Sequence, residues 1–484
     1  MPPTRSLVLP THPLELPEVL LYISAYLPLR HLPSCALVSK TWNQVVTPLI
    51  WKEIKYCHSE HGSDVIQRHR HLIKTLDVDA VFLMRCASIR FPNLESLNVG
   101  SGYDHPGFEA FIPEHPSASL QISVWGPDCR EQPGIWDMFL GFNNIKSLEL
   151  KDMDFDGRDT SSIWQLCTRL ERLELNNPLL KGFNRPSKEF SRIKEMALFD
   201  IRKEDGLKIL ELLKRCPHLT TLICKFWGTS EQNCSFFRDF ARLLSEGAWS
   251  DLKAITTKVH LELDSNYISA IIRGMKQIHV LSLWGFKPHH FDLLRPHLDT
   301  ITEIDLGGGS TSEMNQEILS YSPMLKRFKA TYIYGTDVAE GQPWVCLGLE
   351  KLDIGFEFEP LTIHHDQPLV FDQLSKLTRI EKMSFYFGPH GFGAPKESFD
   401  FRLEYGLHKL ATLRRLSVFR FYRTTQRMGM EEIDWMLNHW KSLSEVEGRF
   451  TKWSHYSDWT LRKRLENHGI KCKDYHPRDY FLRD

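Results

Sequence analysis

The sequence predicts an α/β protein with a small all-helical module at its N-terminal end and a long array of strand–helix repeats after it. Three observations lead to this fold class. Residues 14–54 contain three short apolar helical patterns separated by prolines. From residue 73 onwards, one six-residue pattern recurs along most of the chain. Successive copies most often begin some twenty-five residues apart, which leaves room for one strand and one returning helix.

Length and composition set the broad class of the protein. The 484 residues allow several globular domains, or one repeat array with a small module. Lys and Arg total 60 against 61 for Asp and Glu, so the net charge is −1, which argues against a nucleic-acid partner. The ten cysteines form no C-x-x-C motif and indicate buried thiols in a reducing compartment. With no signal-peptide pattern and no long apolar run, we expect a cytoplasmic or nuclear protein without a membrane partner.

The first helix of the N-terminal module is predicted to begin at the Leu-Pro-Glu sequence of residues 16–18. Proline at the first helical position loses no hydrogen bond, because the first N–H groups of a helix have no partner within it. Leu20, Ile23 and Leu27 follow at helical spacing on one face. Pro28 is expected to end the helix, since proline cannot continue its hydrogen-bonding pattern.

Two further short helices are predicted in the same module. The second carries Leu32, and the third begins near Ser39 and is expected to end at Pro48. Ile54 is expected on one last turn. So short a segment buries only a small core. We therefore expect apolar side chains to remain at its surface, where they suit docking to another protein.

The N-terminal segment resembles the F-box. The Leu-Pro start, the Tyr-Leu-Pro-Leu turn, the Leu-Val-x-x-x-Trp segment and the closing tryptophan of that family are matched by residues 16–18, 26–29, 37–42 and Trp51. One departure is His31, where the family often has an acidic residue. The resemblance covers less than a tenth of the chain. It implies docking on a Skp-family adaptor through Leu16, Pro17, Leu20, Ile23, Leu27, Leu32, Leu37, Val38 and Trp42.

The recurring pattern is an aliphatic residue, two variable residues, an apolar residue, one variable residue and a second apolar residue. Its alternation predicts a short strand with one buried face, and the residues that follow predict a returning helix. Strands that all run in one direction predict a parallel sheet with helices on its outer side. The copies begin at residues 73, 94, 120, 145, 170, 193, 219, 252, 278, 301, 325, 349, 380, 413 and 443.

This pattern resembles the leucine-rich repeat, L-x-x-L-x-L, at the period that this architecture shows. The Cys-Pro-His-Leu sequence at 216–219 is similar to the cysteine-containing repeats that accompany F-boxes. The implied architecture is a curved solenoid with a parallel concave sheet and outer helices. The expected divisions are a flexible tail at 1–13, the F-box at 14–54, a linker at 55–72, about fifteen repeats at 73–450, and a C-terminal cap and tail at 451–484.

Together the two resemblances imply the substrate-recognition subunit of an SCF-type cullin–RING ubiquitin ligase. The F-box would hold the adaptor and, through it, a cullin. The concave face of the repeats would hold a target protein that the sequence does not identify. Exposed aromatic residues are common interface anchors, and four stand at variable positions of the repeats: Phe199, Trp284, Tyr386 and Phe419.

Three connectors in the C-terminal third are longer than the others and contain Gly, Pro and His: 355–372, 388–402 and 422–432. Long loops in a compact array are usually functional or disordered. We therefore expect loops at these positions that are free to form the rim of a pocket.

No catalytic residue, cofactor or metal site is predicted, because the sequence has no G-x-S-x-G, Walker or H-E-x-x-H motif. Histidine pairs such as His289 and His290 are expected on surface loops. Two other classes remain open. One is a protein-binding scaffold outside any ligase. The other, less favoured, is a receptor gated by a small molecule, with a basic pocket built from residues such as Lys225, Arg327, Lys329, Lys382 and Arg415.

Overall fold

A computed structural model gives the fold of the chain. The chain divides into two compact units, residues 1–218 (unit 1) and residues 219–484 (unit 2). The predicted flexible tail up to residue 12 and the C-terminal tail from residue 474 lie outside the described residues. The structure describes residues 13–55, 63–78, 82, 85, 86, 88–99, 111, 120–125, 140, 141, 145–152, 161–180, 188–226, 230–257, 263–307, 309–386, 397–422, 424, 426–451 and 455–473.

The N-terminal module of unit 1 is helical, as predicted. Its first α-helix begins at Pro17 and ends at Tyr26, before Pro28. Its third begins after Ser39, whose hydroxyl accepts a hydrogen bond from the Trp42 N–H at 3.2 Å. The elements are the 3-10 helices Pro13–Glu15 and Leu29–His31 and the α-helices α1 (Pro17–Tyr26), α2 (Leu32–Ala36) and α3 (Lys40–Trp51).

Two details of this module differ from the prediction. Pro48 lies inside α3 rather than at its end. It cannot donate a backbone hydrogen bond, but Val46 and Leu49 pack in the small core of the module and hold the helix on both sides of the proline. Ile54 lies in strand β1 (Glu53–Lys55) instead of a last helical turn, because this segment pairs with the next strand of the sheet.

Unit 1 also contains a parallel sheet whose strands lie at the predicted repeat positions. Its strands pair in sequence order, each parallel to the next. The apolar residues of the pattern, such as Leu148 and Leu150, point into the core. The elements are β1, α4 (Ser63–His69), β2 (Thr75–Val78), β3 (Ser96–Val99), β4 (Leu120–Trp125), β5 (Ile145–Lys151), α5 (Ser161–Cys167), β6 (Arg172–Asn176), β7 (Glu195–Ile201) and α6 (Gly206–Leu213).

The segment predicted as a linker, 55–72, is partly a packed element. Residues 56–62 lie outside the described residues, but α4 follows them. Ile66 on α4 is buried, and the His69 ring stacks on Trp51 with 4.4 Å between ring centroids. The second half of this segment therefore belongs to the folded part of unit 1 and is not a free linker.

Unit 2 alternates strands and helices in the same way, which confirms the α/β class. Its parallel pairs run from β8 to β18, and β15 alone among the described strands of this unit pairs antiparallel, with β13. The strands are β8 (Thr221–Phe226), β9 (Ala254–Thr257), β10 (Val280–Ser282), β11 (Glu303–Asp305), β12 (Arg327–Tyr334), β13 (Lys351–Phe358), β14 (Lys382–Tyr386), β15 (Glu397–Ser398), β16 (Val418–Tyr422), β17 (Glu445–Gly448) and β18 (Lys471–Lys473).

The helices of unit 2 lie between these strands in the sequence. The α-helices are α7 (Ser230–Ser245), α8 (Ser265–Gly274), α9 (Pro288–Leu294), α10 (Ser312–Tyr321), α11 (Gly335–Glu340), α12 (Ile363–Ser375), α13 (Met430–His439) and α14 (His455–Glu466). Three 3-10 helices accompany them: Arg295–His297, Leu403–Tyr405 and Leu407–Thr412. Helix α14 and strand β18 lie in the segment predicted as a cap, and β18 adds one more parallel strand beside β17.

One backbone carbonyl before each strand fixes the register of the following strand. The Glu350 carbonyl accepts the N–H groups of Glu381 and Lys382 at 2.8 and 3.1 Å. This bond pair recurs at almost every step, so neighbouring strands start at equivalent positions. The same arrangement is made by the carbonyls of Lys52, Lys74, Glu171, Thr220, Lys253, His279, Thr302, Lys326, Glu381 and Ser417.

This register shows that the repeat predicted at residue 413 is shifted by three residues. The Glu381 carbonyl accepts the Val418 N–H, so the pattern begins at Leu416. Two overlapping stretches satisfy the sequence pattern here, and the fold uses the one that buries phenylalanines. Phe419 is 0% exposed as a result. The prediction of Phe419 as an exposed anchor for a target is therefore wrong.

The predicted connectors also contain regular structure. The end of β13 and the start of α12 occupy most of 355–372, and β15 lies in 388–402, of which residues 388–396 lie outside the described residues. Phe399 and Phe401 follow β15 and are buried. The ring of Phe399 stacks on Phe385 at 5.4 Å between centroids. This stretch is part of the core rather than a free rim.

His290, expected on a surface loop, is buried in the first turn of α9. Its Nδ1 accepts the Lys287 N–H at 2.8 Å, so the proton sits on Nε2, which lies 3.0 Å from the Ser265 carbonyl oxygen. Burial lowers the pKa of His290. A protonated ring would lose its acceptor at Nδ1, so the neutral form is the one that this turn requires.

We predict that His290 makes unit 2 less stable in acid. An unfolded histidine takes up a proton near pH 6.5, whereas buried His290 does so only at lower pH, so the free energy of unfolding falls as pH drops below about 6.5. His290→Asn keeps an acceptor for the Lys287 N–H but does not titrate. Urea unfolding at about pH 7.5 and about pH 5.5 should show a smaller acid loss for His290→Asn than for the parent. The exposed His408→Asn is the control, and equal losses for all three proteins would disprove the prediction.

Candidate functional site

The small core of the N-terminal module contains two of the predicted docking residues. Leu20 is 0% exposed and Leu32 is 4% exposed. Leu32 packs with Ala36 and Val46. The prediction that Leu20 and Leu32 contact an adaptor directly is wrong, because a fully buried side chain has no surface to offer. They instead hold α1 and α2 in the positions that orient the rest of the module.

Three more predicted docking residues are half-buried. Leu27 and Trp42 pack against the edge of the same core, and Ile23 lies on α1. Leu16 and Pro17, at the start of α1, are exposed. These five residues keep part of their surface available for a partner, although for Leu27 and Trp42 that surface is shared with the core.

Leu37 and Val38 are largely exposed, at 86% and 65%. They follow α2 in a structured turn, since the Leu37 N–H donates to the Ser34 carbonyl at 3.2 Å and the Val38 N–H donates to the Cys35 carbonyl at 3.1 Å. Two apolar side chains are thus held in solvent by a fixed backbone. Such exposure is unfavourable in the free protein and becomes favourable on binding an apolar surface.

Five exposed large apolar residues of the module were not among the predicted docking residues. They are Leu14, Leu21, Tyr22, Tyr26 and Leu29. The Tyr26 hydroxyl donates to the Tyr22 hydroxyl at 3.1 Å, which raises the pKa of Tyr26, and the rings lie 5.0 Å apart. For Leu21, Tyr22 and Tyr26 the available signal was the apolar composition of α1, which supplies more than the one face that a small core can bury.

The predicted target anchors differ in how much of each side chain is exposed. Phe199 in unit 1 is half-buried, as are Trp284 and Tyr386 in unit 2. The Trp284 ring lies against Gly307, where φ is +55° and a Cβ would come within 2.8 Å of the ring. The Tyr386 hydroxyl donates to the Ala330 carbonyl. Both rings in unit 2 are therefore held by backbone groups of this same chain. Each presents one edge or face to a partner rather than a whole side chain.

Phe419 lies in an aromatic cluster instead. Its ring meets Phe401 edge-on at 4.9 Å between centroids and contacts Trp440 at 5.2 Å. Aromatic pairs with such geometry stabilise a core beyond the area that they bury. Phe419 therefore contributes to the fold of unit 2.

The basic residues that a small-molecule pocket would use are mostly paired. Arg327 lies 2.9 Å from Glu303, Lys329 lies 3.5 Å from Asp305, and Arg415 lies 2.5 Å from Glu381. Each of these ion pairs is partly exposed and contributes at most about 1 kcal/mol. The paired carboxylates cancel most of the positive charge that an anionic small molecule would need.

A pocket of about 770 Å³ lies elsewhere in unit 2, between α10, α11 and the 3-10 helix Arg295–His297. Its charged lining is mainly acidic, with Glu313, Glu317 and Glu340 among the carboxylates. Arg295 in the same lining is paired with Glu317 at 2.8 Å. The pocket therefore does not coincide with the basic residues predicted from the sequence.

The described ranges contain neither a membrane-spanning helix nor a cluster of metal-binding side chains. No described helix is long and apolar enough to cross a membrane. Within the same residues, no group of three or more His, Cys, Asp or Glu side chains is arranged to hold a metal ion.

The burial of the Cys216 thiol raises its pKa to about 12, so it is not a reactive thiolate at neutral pH.

Comparisons with known proteins identify the N-terminal module. Residues 17–56 match the F-box-like family, so this chain contains an F-box-like domain. No curated protein matches the chain. Among solved structures, one chain of the Rad7 and Elc1 complex in yeast is 10% identical, with 94% of this chain and 92% of that chain covered and a TM-score of 0.36. A likeness at that score carries no argument about fold or function.

We predict that Leu20 and Leu37 differ sharply in what they do for the module. Leu20→Ala should lower the opening free energy of α1 and α3 by about 3 kcal/mol, because it leaves a cavity in a small core. Leu37→Ala should change it by less than about 0.5 kcal/mol, since the side chain is exposed. Amide hydrogen exchange of the full chain measures both values. Equal effects of the two substitutions would contradict the burial described above.

Proposed function

We propose that this chain is an adaptor subunit of a ubiquitin-ligase complex. In this proposal the F-box-like domain docks on a Skp-family adaptor and, through it, on a cullin, and the rest of the chain binds a target protein. The observation that carries the proposal is the F-box-like domain at residues 17–56, whose Leu37 and Val38 are held in solvent on a fixed turn. The chain itself would supply position rather than chemistry.

The finer assignment is an SCF-type complex with leucine-rich repeats. Support comes from parallel strands at the predicted positions and from the two-donor carbonyl that repeats before them. Within each unit, the apolar residues of the L-x-x-L-x-L pattern are buried and most described residues between them remain partly accessible, with Ala197, Ala254, Ser384 and Glu447 as buried exceptions. We propose repeats over 73–450, ending in a cap from 451, in a cytoplasmic or nuclear protein.

Target binding is proposed for the polar face of the repeat sheet. The half-buried Trp284 and Tyr386 are the anchors that remain in unit 2, and Phe199 is the one in unit 1. A rigid aromatic side chain loses little conformational entropy on binding, which makes such partly exposed rings good contact points. Phe419 is excluded by its burial.

Two other functions are less well supported. A binding scaffold outside a ligase would use the same surfaces, and only ubiquitination of a bound target separates it from the main proposal. A receptor gated by an anionic small molecule is disfavoured, because Arg327, Lys329 and Arg415 are each paired with a carboxylate.

The adaptor proposal predicts that charge at the exposed turn abolishes docking. Leu37→Asp/Val38→Asp should lose the Skp-family adaptor and the cullin in affinity capture from cells, because two charges would have to be desolvated in the interface. Val345→Asp/Leu347→Asp is the matched control, since these residues are also apolar and exposed but lie in unit 2. The control should retain both partners.

Three results would count against this proposal. Failure of the unmodified chain to bring down any Skp-family adaptor would show that the F-box-like domain serves another partner. Equal capture by the two double variants would place the docking surface elsewhere. If the adaptor binds but the proteins held by the chain are never ubiquitinated, the scaffold function replaces the ligase function.

A further inference from the structure

We propose that the polar face of the unit 2 sheet recognises an anionic segment of a polypeptide through a row of three cations, Arg327, Lys351 and Lys382, which we call the cation row. This inference rests on the proposed function, because it names the chemistry of the target that the repeats would hold. It concerns a site on unit 2 that is separate in sequence from the F-box-like domain.

The register of the sheet places the three cations side by side. Each is the first residue of its strand, in β12, β13 and β14, and Arg327 pairs with Lys351 while Lys351 pairs with Lys382. Neighbouring strands lie roughly 4.8 Å apart. Arg327 and Lys382 are exposed and Lys351 is half-buried, so their charged groups are open to a partner.

Among the described residues, the charge of this row is only partly balanced. Arg327 is paired with Glu303 at 2.9 Å. Lys351 and Lys382 stand in register on neighbouring strands, and neither forms an ion pair with any described residue. Like charges on neighbouring strands repel each other. A bound anion would reduce this repulsion.

The carboxylates around the row do not remove this excess. Glu381, one residue before Lys382, pairs with Arg415 at 2.5 Å. Glu445, in register with Val418 on the far side of the row, is held by Arg420 at 2.9 Å and by Lys473 at 2.6 Å. Asp353, two residues beyond Lys351 on the same strand, stands in register with Lys329 on one side and with Ser384 on the other.

The spacing of the cation row suits an extended peptide with anionic side chains. In an extended peptide, residues two apart point to one side about 6.8 Å from each other. This distance lies between the spacing of adjacent strands and that of next-neighbour strands, and the flexible lysine stems can adjust to it. Carboxylates of Asp or Glu and phosphates of modified residues both fit. The net charge of −1 for the whole chain makes nucleic acid a poorer fit, because such binding usually needs a broad basic excess.

The test measures direct binding of fluorescent peptides to the full purified chain at low ionic strength. The probes are a short peptide of alternating Glu and Gly, its phosphoserine counterpart, and its Gln counterpart. The variants are Lys351→Gln/Lys382→Gln and the charge-matched control Lys276→Gln/Lys463→Gln, whose lysines are exposed and outside the row. No adaptor is present, so failure of this proposal and failure of the F-box proposal are distinguishable.

We expect an anionic peptide to bind more tightly than its Gln counterpart, with an affinity that falls as salt is added. Lys351→Gln/Lys382→Gln should weaken that binding about tenfold, while the control should keep it. The melting temperature of Lys351→Gln/Lys382→Gln should stay or rise, because the like-charge pair is gone. A preference for phosphoserine over Glu would identify modified targets, and the reverse would identify acidic ones.

Three outcomes would overturn the proposal. The first is equal binding of the anionic and Gln peptides, and the second is equal weakening by the two double variants. The third is that a single-stranded oligonucleotide binds more tightly than either anionic peptide and that its binding depends on Lys351 and Lys382 in the same way. The last result would assign the row to nucleic acid. A fall in melting temperature for Lys351→Gln/Lys382→Gln would show that these lysines stabilise the fold, and the argument from unrelieved repulsion would then be wrong.

Discussion

The structure depends on one repeated hydrogen-bond arrangement. At eleven steps of the described chain, a carbonyl just before a strand, such as that of Glu350, accepts two N–H groups from the start of the next strand. Because this arrangement sets the register, it decides which side chains of each strand face the core and which face solvent. The burial of Leu352, the alignment of Lys351 with Lys382 and the burial of Phe419 all follow from it.

The N-terminal module follows a different constraint, which is its size. Three short helices can bury Leu20, Leu32 and Val46 and half-bury their neighbours, and the remaining apolar side chains must stay outside. The backbone of the turn at Leu37 and Val38 is hydrogen-bonded, so the exposed groups are also pre-organised. An apolar surface held in place at no further entropic cost is what tight docking requires. The F-box-like match of residues 17–56 agrees with that interpretation.

Much of the fold was accessible from the sequence, because its signals are periodic. The helix start at Pro17, the cap at Ser39 and the repeat strands rest on local chemistry that tertiary structure did not override. The wrong predictions concern positions where the sequence allows two equivalent arrangements. Periodicity does not distinguish an inward face from an outward face in an apolar run, so the docking residues taken from the F-box resemblance include buried Leu20 and omit exposed Tyr22. It also could not choose between the overlapping patterns that begin at residues 413 and 416. Only the pairing of β16 with β14 decides between them.

The exposed apolar side chains of the F-box-like domain are proposed as the docking surface for a Skp-family adaptor. Calorimetric titration of the purified adaptor into the full chain at several temperatures would measure this docking. One adaptor should bind per chain with a clearly negative heat-capacity change, because apolar surface leaves water on binding. No binding, or binding with a heat-capacity change near zero, would show that these side chains are not the docking surface.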